Sequence, residues 1–256
     1  MVNVLLIKNP KSDDPFLQGL AASGHHGECI PALSFEYINI SDLAERLGSP
    51  HNYAGLVLTS QNSVQACQNA QKACEKDVLS HWLEKTNYVV GEATHLAAHQ
   101  LLGLDCRGAD SGSATALAKQ MHLDVKPEAT QSFLYPKTSL KTIDLKGQLA
   151  TLGIQLDELV VYKTLPHPDF AHNLTEYSQS IDGPPDAVVF FSPSGVDYCL
   201  EEVDRVWEGR TKLVAVGPST SQRLSSKGKD DQIVMDKPNV ESLLRCLQGS
   251  FAIHPS

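Results

Sequence analysis

Four short segments of the sequence combine hydroxyl, amide and glycine residues in a way that suits an anionic ligand. They are Thr59-Ser60-Gln61, Gly91 to Thr94, Ser192-Pro193-Ser194-Gly195 and Gly217-Pro218-Ser219-Thr220. Each follows an apolar run typical of a buried strand and precedes a segment of helical periodicity. The free N–H groups and the partial positive charge of a first helical turn bind anions without Lys or Arg. Four such turns predict a site for a large ligand with several carboxylates or phosphates, although ordinary N-capping explains any one turn taken alone.

The other patterns that carry chemistry are incomplete. His95 and His99 have the spacing of a two-histidine zinc face, but Leu96 stands where a metalloprotease needs its general-base glutamate. The segment from Ser192 to Gly195 is not a G-x-S-x-G motif, and no dinucleotide or P-loop glycine pattern occurs. The six cysteines include no C-x-x-C pair. We therefore expect neither a metal nor a cofactor.

Composition excludes several classes of partner. The 256 residues are 41% hydrophobic and 20% charged, which is typical of a folded globular protein. Lys+Arg 21 against Asp+Glu 30 gives a net charge of −9, and without a basic run the chain is not expected to bind nucleic acid or an anionic membrane. The apolar stretch at Met1 to Lys8 is too short for a signal peptide or a membrane span, so we expect a cytoplasmic protein. No interface stripe is evident, and a monomer is the expectation.

The elements that position the four turns follow from periodicity. Short apolar runs alternate with helical segments along the whole chain, which predicts βα units and parallel sheets. The expected strands are Val2 to Ile7, Cys29 to Phe35, Gly55 to Leu58, Asn87 to Val90, Ser132 to Tyr135, Glu158 to Tyr162, Ala187 to Phe191 and Leu213 to Val216. A helix over Asp42 to Leu47 is predicted with Ser41 as its N-cap and Gly48 after its end. Ser60, Ser113 and either Ser192 or Ser194 are expected to cap other helices.

Three segments recur in the same order at a nearly constant separation, which predicts a twofold pseudo-repeat. The matched pairs are 53–64 with 185–196, 87–94 with 213–220, and, more loosely, 2–36 with 132–165. In the first pair both segments read as a strand, a serine-containing turn and a helix start. Two similar α/β domains follow from the repeat.

The same motifs carry a resemblance to a known family. Ile30-Pro-Ala-Leu-Ser-Phe-Glu36, Gly55-Leu-Val-Leu-Thr-Ser60, Tyr88-Val-Val-Gly91 with Thr94, Val160-Val-Tyr-Lys-Thr164, Val189-Phe-Phe-Ser-Pro-Ser-Gly195 and Ala215-Val-Gly-Pro-Ser-Thr220 occur in order. Together they resemble uroporphyrinogen-III synthase in its animal-type form. The resemblance implies two similar flavodoxin-like domains with parallel sheets, joined by a two-stranded linker. The implied limits are 1–32 with 167–256 for one domain, 38–159 for the other, and 33–37 and 160–166 for the linkers.

The resemblance also implies a reaction and residue roles. Members of this family cyclise hydroxymethylbilane, a linear tetrapyrrole with acetate and propionate side chains, to uroporphyrinogen III, with loss of water and inversion of the terminal ring. Tyr162 would stand beside the leaving hydroxyl, where a phenol can donate a hydrogen bond or a proton; its alternative role is packing. Thr94 and Thr220 would bind substrate carboxylates or the terminal pyrrole, or serve only as N-caps. Lys137 and Lys141 would assist binding, or lie on a solvated helix edge.

Two other protein classes share parts of this pattern. A noncatalytic two-domain binding protein of the periplasmic type has duplicated α/β domains but usually carries a secretion signal. A signalling receiver needs clustered acidic residues directly after its first strand, and Asp13-Asp14 lie beyond Pro10. The synthase resemblance accounts for more of the sequence than either alternative.

Overall fold

The chain folds into two compact units, which a computed structural model describes for residues 1–10, 12–74, 77–125, 131–140 and 143–250. The first unit comprises Met1–Ser34 and Leu165–Ser256, and the second comprises Phe35–Thr164. The chain therefore leaves the first unit once, builds the whole second unit and returns. The limits expected from the sequence differ by a few residues where the chain passes between the units, because they set the two linkers apart from both domains.

Within the described residues, the strands are β1 (Asn3–Ile7), β2 (His26–Ile30), β3 (Leu33–Tyr37), β4 (Tyr53–Leu58), β5 (Asn87–Val89), β6 (Cys106–Arg107), β7 (Ser132–Thr138), β8 (Leu156–Pro166), β9 (Ala187–Phe190), β10 (Lys212–Val216) and β11 (Ile233–Met235). The α-helices are α1 (Pro15–Ala22), α2 (Ile40–Leu47), α3 (Gln61–Lys72), α4 (Glu92–Leu102), α5 (Ala114–Asp124), α6 (Leu145–Ala150), α7 (Phe170–Ser180), α8 (Pro193–Trp207), α9 (Pro218–Ser225) and α10 (Val240–Ser250). Both crossings between the units fall inside strands, β3 and β8, as a two-stranded linker requires. No helix in the described part of the chain is both long and apolar enough to cross a membrane.

The two sheets have the same strand order once the repeat is taken into account. One sheet runs β11-β10-β9-β1-β2 and the other β6-β5-β4-β7-β8, with β3 added beside β8. The repeat matches β1 with β7, β2 with β8, β9 with β4 and β10 with β5. In repeat order both sheets therefore read 2-1-3-4-5, the flavodoxin-like arrangement, and the pairs from β1 to β2 and from β7 to β8 are parallel. The predicted α/β class with parallel sheets is confirmed.

Helices cover both faces of each sheet, and the alternation of side chains along the strands explains why. In β1, Leu5 and Ile7 pack with α7, α8 and α9, whereas Val4 and Leu6 pack with α1 and α10. The second sheet has α2, α3 and α4 on one face and α5 and α6 on the other. Because both faces are buried, the central strands β1, β4 and β9 are apolar runs rather than alternating patterns.

Two predicted elements were wrong in detail. The run Cys29 to Phe35 is two strands, because β2 ends at Ile30 before Pro31, which has no N–H to donate to a ladder. The α2 helix begins at Ile40 and not at Asp42, so Ser41 is inside it. Its N-cap is Asn39, in the left-handed conformation (φ 54°), whose side-chain amide donates to the carbonyl of Val160 at 2.8 Å instead of capping.

The end of α2 agrees with the prediction, whereas two short strands were missed. Gly48 directly follows the last residue of α2, as predicted, and its φ of −70° is not left-handed. The strands β6 and β11 were not predicted, because runs of two and three residues carry almost no periodicity.

Candidate active site

The turn after β4 is built by a serine capping box. The hydroxyl of Ser60 accepts a hydrogen bond from the N–H of Ser63 at 3.1 Å, and the Ser63 hydroxyl accepts from the N–H of Ser60 at 3.3 Å. The predicted N-cap role of Ser60 is confirmed. Helix geometry leaves the N–H groups of Gln61 and Asn62 without intrahelical partners, so they remain donors at this edge.

Tyr162 meets this turn directly. Its hydroxyl lies 2.9 Å from the Ser60 hydroxyl, while its ring packs against Phe35 in the core. Either hydroxyl can be the donor in this contact, and the Ser60 hydroxyl also lies 3.5 Å from the Ser63 hydroxyl, to which it can donate. When Ser60 donates to Tyr162, the phenol keeps its O–H for an external acceptor.

Two further tyrosines, which sequence reasoning missed, have hydroxyls at the same turn. The Tyr135 hydroxyl lies 3.4 Å from the Thr59 hydroxyl, and Tyr37 donates to the side-chain oxygen of Asn62 at 3.2 Å. Burial raises the pKa of Tyr135, and burial together with the neighbouring Tyr162 raises the pKa of Tyr37. These two phenols therefore stay protonated at neutral pH and act as donors. Tyr37 ends β3 and Tyr135 lies within β7, but only the pairing of the strands shows that the two tyrosines meet this turn.

The start of α4 adjoins the Ser60 turn. Gln61 bridges the two, because its side-chain amide donates to the carbonyl of Ala93 at 3.1 Å. Gly91 is the N-cap of α4, with φ 81°, a conformation open to glycine and costly for other residues. Thr94 is the third helical residue and is buried, so the alternative that it is an N-cap is wrong. In the second unit the structure thus gathers Thr59, Ser60, Gln61, Gly91, Thr94 and Tyr162 at neighbouring strand ends.

The first unit repeats this construction at the ends of β9 and β10. Ser192, and not Ser194, caps α8, and its hydroxyl accepts from the N–H of Gly195 at 3.1 Å. Its φ and ψ (−155°, 155°) nearly equal those of Ser60 (−159°, 157°), as the repeat predicts.

Gly217 caps α9 with φ 86°, the counterpart of Gly91. Ser219 and Thr220 follow in the first turn, where Ser219 is exposed and Thr220 is buried. Thr220 is therefore not an N-cap either. Pro193 and Pro218 hold the first helical positions of α8 and α9, where a missing N–H costs nothing.

The predicted lysines fare differently. Lys137 is paired with Glu158 at 3.0 Å and lies near the ring of Tyr135. Lys141 lies outside the described residues. Another lysine at a strand end, Lys8, was not predicted; it pairs with the buried carboxylate of Asp14 at 2.5 Å.

Asp14 also caps α1, by accepting from the N–H of Phe16 at 3.0 Å. Asp14, one of the two acidic residues considered for the signalling-receiver alternative, therefore serves as a helix cap. Among the described residues, no three His, Cys, Asp or Glu side chains are grouped as metal ligands.

Strand order and edge chemistry together define a class: a two-domain α/β protein with flavodoxin-like parallel sheets, whose strand ends present hydroxyls and helix-terminal amides. The sequence model described as uroporphyrinogen-III synthase HemD matches residues 14–245. The chain belongs to the uroporphyrinogen-III synthase family, and it is accordingly an enzyme of tetrapyrrole biosynthesis.

Individual relatives agree with this assignment. The uroporphyrinogen-III synthase of Saccharomyces cerevisiae is 24% identical over 265 residues, covering 96% of each chain. That of Schizosaccharomyces pombe is 26% identical over 252 residues, covering 95% of each chain. The binding-protein alternative is therefore not favoured.

Solved structures show the same fold. The Helicobacter pylori uroporphyrinogen-III synthetase superposes with a TM-score of 0.66 at 15% identity, covering 98% of this chain and 99% of that one. A mutant Thermus thermophilus uroporphyrinogen III synthase gives 0.62 at 20% identity, covering 98% and 100%.

Proposed function

We propose that the chain cyclises hydroxymethylbilane to uroporphyrinogen III, with loss of water and inversion of the terminal ring, and that Tyr162 assists the departure of the hydroxyl. The observation that carries this proposal is the 2.9 Å contact between the hydroxyls of Tyr162 and Ser60 at the ligand edge of a parallel sheet. Ser60 is held by its capping box, so it fixes the Tyr162 oxygen. With Ser60 as the donor in this contact, the phenol proton is available to the substrate.

The chemistry needs little beyond this. When the C–O bond of the hydroxymethyl group breaks, the departing oxygen takes the proton of the phenol and leaves as water. The proton that the pyrrole carbon loses when the ring closes then restores the phenol. Ring closure and inversion then depend on how the bound chain is held, because the linear substrate can also close without inversion. A site that controls geometry is what hydroxyl-rich, rigid helix starts supply.

The substrate carboxylates are assigned to the four turns. Each turn offers unpaired N–H groups at the positive end of a helix, which bind carboxylates even on a protein of net charge −9. Thr94 and Thr220 are buried residues in the first turns of α4 and α9, and under this proposal each hydroxyl adds one hydrogen bond to the substrate. Lys137 contributes positive potential beside the turn after β4, although its ion pair with Glu158 reduces that potential.

We further propose that the two compact units act as the two domains of a monomeric, cytoplasmic enzyme. The scattered cysteines, all six free, and the absence of a basic run support this setting. Nucleic acid is not among its proposed partners. The substrate class, a polycarboxylate tetrapyrrole, follows from the family.

The test is an isomer analysis. Hydroxymethylbilane generated enzymatically is incubated with the protein, and the oxidised products are separated into isomers I and III. We expect isomer III to dominate with protein and isomer I without it. Isomer I alone in both samples would refute the proposed activity.

A further inference from the structure

Tyr135 and Thr59 occupy the point in the second sheet where the strand order reverses. Tyr135 lies in β7 and Thr59 directly follows β4, and these two strands are neighbours at the centre of the sheet. The reversal of connection between such strands opens a crevice at their carboxyl ends, where ligands of doubly wound sheets bind. The two hydroxyls stand at this crevice.

Neither hydroxyl is well satisfied by the protein. Their separation of 3.4 Å is longer than a normal O–H···O bond, and no other hydrogen bond to either is found among the described residues. The ring of Tyr135, by contrast, is buried in a core cluster, where a phenylalanine would pack equally well. Packing therefore explains the ring and leaves the hydroxyl unexplained.

The surroundings favour an anion. The Lys137 ammonium lies 5.8 Å from the centre of the Tyr135 ring, so positive potential reaches this crevice although Glu158 is also paired with the lysine. Burial raises the pKa of Tyr135, which keeps its phenol a hydrogen-bond donor.

We propose that the hydroxyls of Tyr135 and Thr59 together bind one carboxylate group of the substrate. The two donors are close enough to share one carboxylate, which has lone pairs for both. This site is distinct from the Tyr162–Ser60 pair, which acts at the leaving hydroxyl. The inference rests on the proposed function, because that function supplies a substrate with carboxylates.

Tyr135→Phe is the variant that removes the hydroxyl and keeps the ring. A hydrogen bond to a charged group predicts a KM for hydroxymethylbilane raised about tenfold or more, with kcat little changed and isomer III still the product. The matched control is Tyr88→Phe, because Tyr88 belongs to the same core cluster but its hydroxyl contacts Asp124 at 3.3 Å. The control should keep the KM of the wild type.

A second measurement does not depend on turnover. Fluorescence titration with uroporphyrin III, the oxidised product with all its carboxylates, should show a similar loss of affinity in Tyr135→Phe. Thr59→Val should weaken binding in the same way, and the double variant should lose less than the product of the two single effects, because both hydroxyls serve one carboxylate.

The outcomes separate the two proposals. Wild-type isomer III with an unchanged KM and unchanged titration in Tyr135→Phe would overturn the carboxylate site and leave the proposed function standing. Absence of isomer III from the wild type, with uroporphyrin III binding still weakened in Tyr135→Phe, would overturn the proposed function and leave the carboxylate site standing. If Tyr135→Phe does not fold, Thr59→Val alone decides, and unchanged affinity there overturns the inference.

Discussion

Replacing Tyr162 by phenylalanine separates its chemical role from its structural one. The ring stays and keeps its contact with Phe35, so only the hydroxyl and its 2.9 Å contact with Ser60 are lost. A neutral hydrogen bond contributes about 1 kcal/mol to folding, which corresponds to a few degrees of melting temperature in a chain of this size. Loss of general-acid assistance costs much more, about 10²-fold in rate.

The assay follows both quantities. Isomers I and III are quantified over time for the wild type and for Tyr162→Phe, and a melting curve is recorded for each. We expect the rate of isomer III formation to fall about 10²-fold, while uncatalysed closure continues and raises the share of isomer I. An unchanged rate of isomer III formation with a lowered melting temperature would refute the chemical role and leave Tyr162 structural.

Tyr53→Phe is the matched control. Tyr53 belongs to the same core cluster as Tyr162 and is equally exposed, at 7%. Its hydroxyl contacts Asp157 at 2.7 Å, so the variant also loses one hydrogen bond, but not at the Ser60 turn. We expect a stability loss at least as large as in Tyr162→Phe and no change in the product isomers.

Three further predictions follow from burial. Burial raises the pKa of Tyr53 and of Tyr88 from 10.0 to about 12, so folding favours the neutral phenols. The free energy of unfolding, measured by denaturant titration, should therefore be constant below pH 10 and fall between pH 10 and pH 12. A constant free energy of unfolding over that range would contradict this prediction. Burial likewise raises the pKa of Cys67 to about 12, so iodoacetamide should label the partly exposed Cys74 well before Cys67 under native conditions, as peptide mass mapping would show. Thr220→Val should weaken substrate binding about tenfold in steady-state kinetics, because it removes a buried hydroxyl at the start of α9, whereas a wild-type KM would make Thr220 structural.

Local rules predicted much of the ligand edge from the sequence. Ser60 and either Ser192 or Ser194 were expected to cap helices because each hydroxyl follows an apolar strand, and the structure shows Ser60 and Ser192 as the caps. The glycines at 91 and 217 precede helices for a related local reason, a conformation that glycine adopts at little cost. Such features depend on a few neighbouring residues, so the sequence alone contains them.

Contacts between distant residues could not be predicted in this way. The Tyr162–Ser60 contact joins residues 102 positions apart, and the Tyr135–Thr59 contact joins residues 76 positions apart. Each depends on which strands are neighbours and in which register. The exchange of chain between the two units was likewise implied by the family resemblance alone, because a simple tandem repeat has the same local patterns.

Backbone hydrogen exchange with bound product tests the central claim most directly. The free N–H groups in the first turns of α3, α4, α8 and α9 exchange quickly when nothing binds them. If these turns hold the carboxylates of the tetrapyrrole, saturation with uroporphyrinogen III under anaerobic conditions should slow exchange at all four helix starts. If the protein is saturated and exchange is not slowed at even one of the four helix starts, the result would contradict the account.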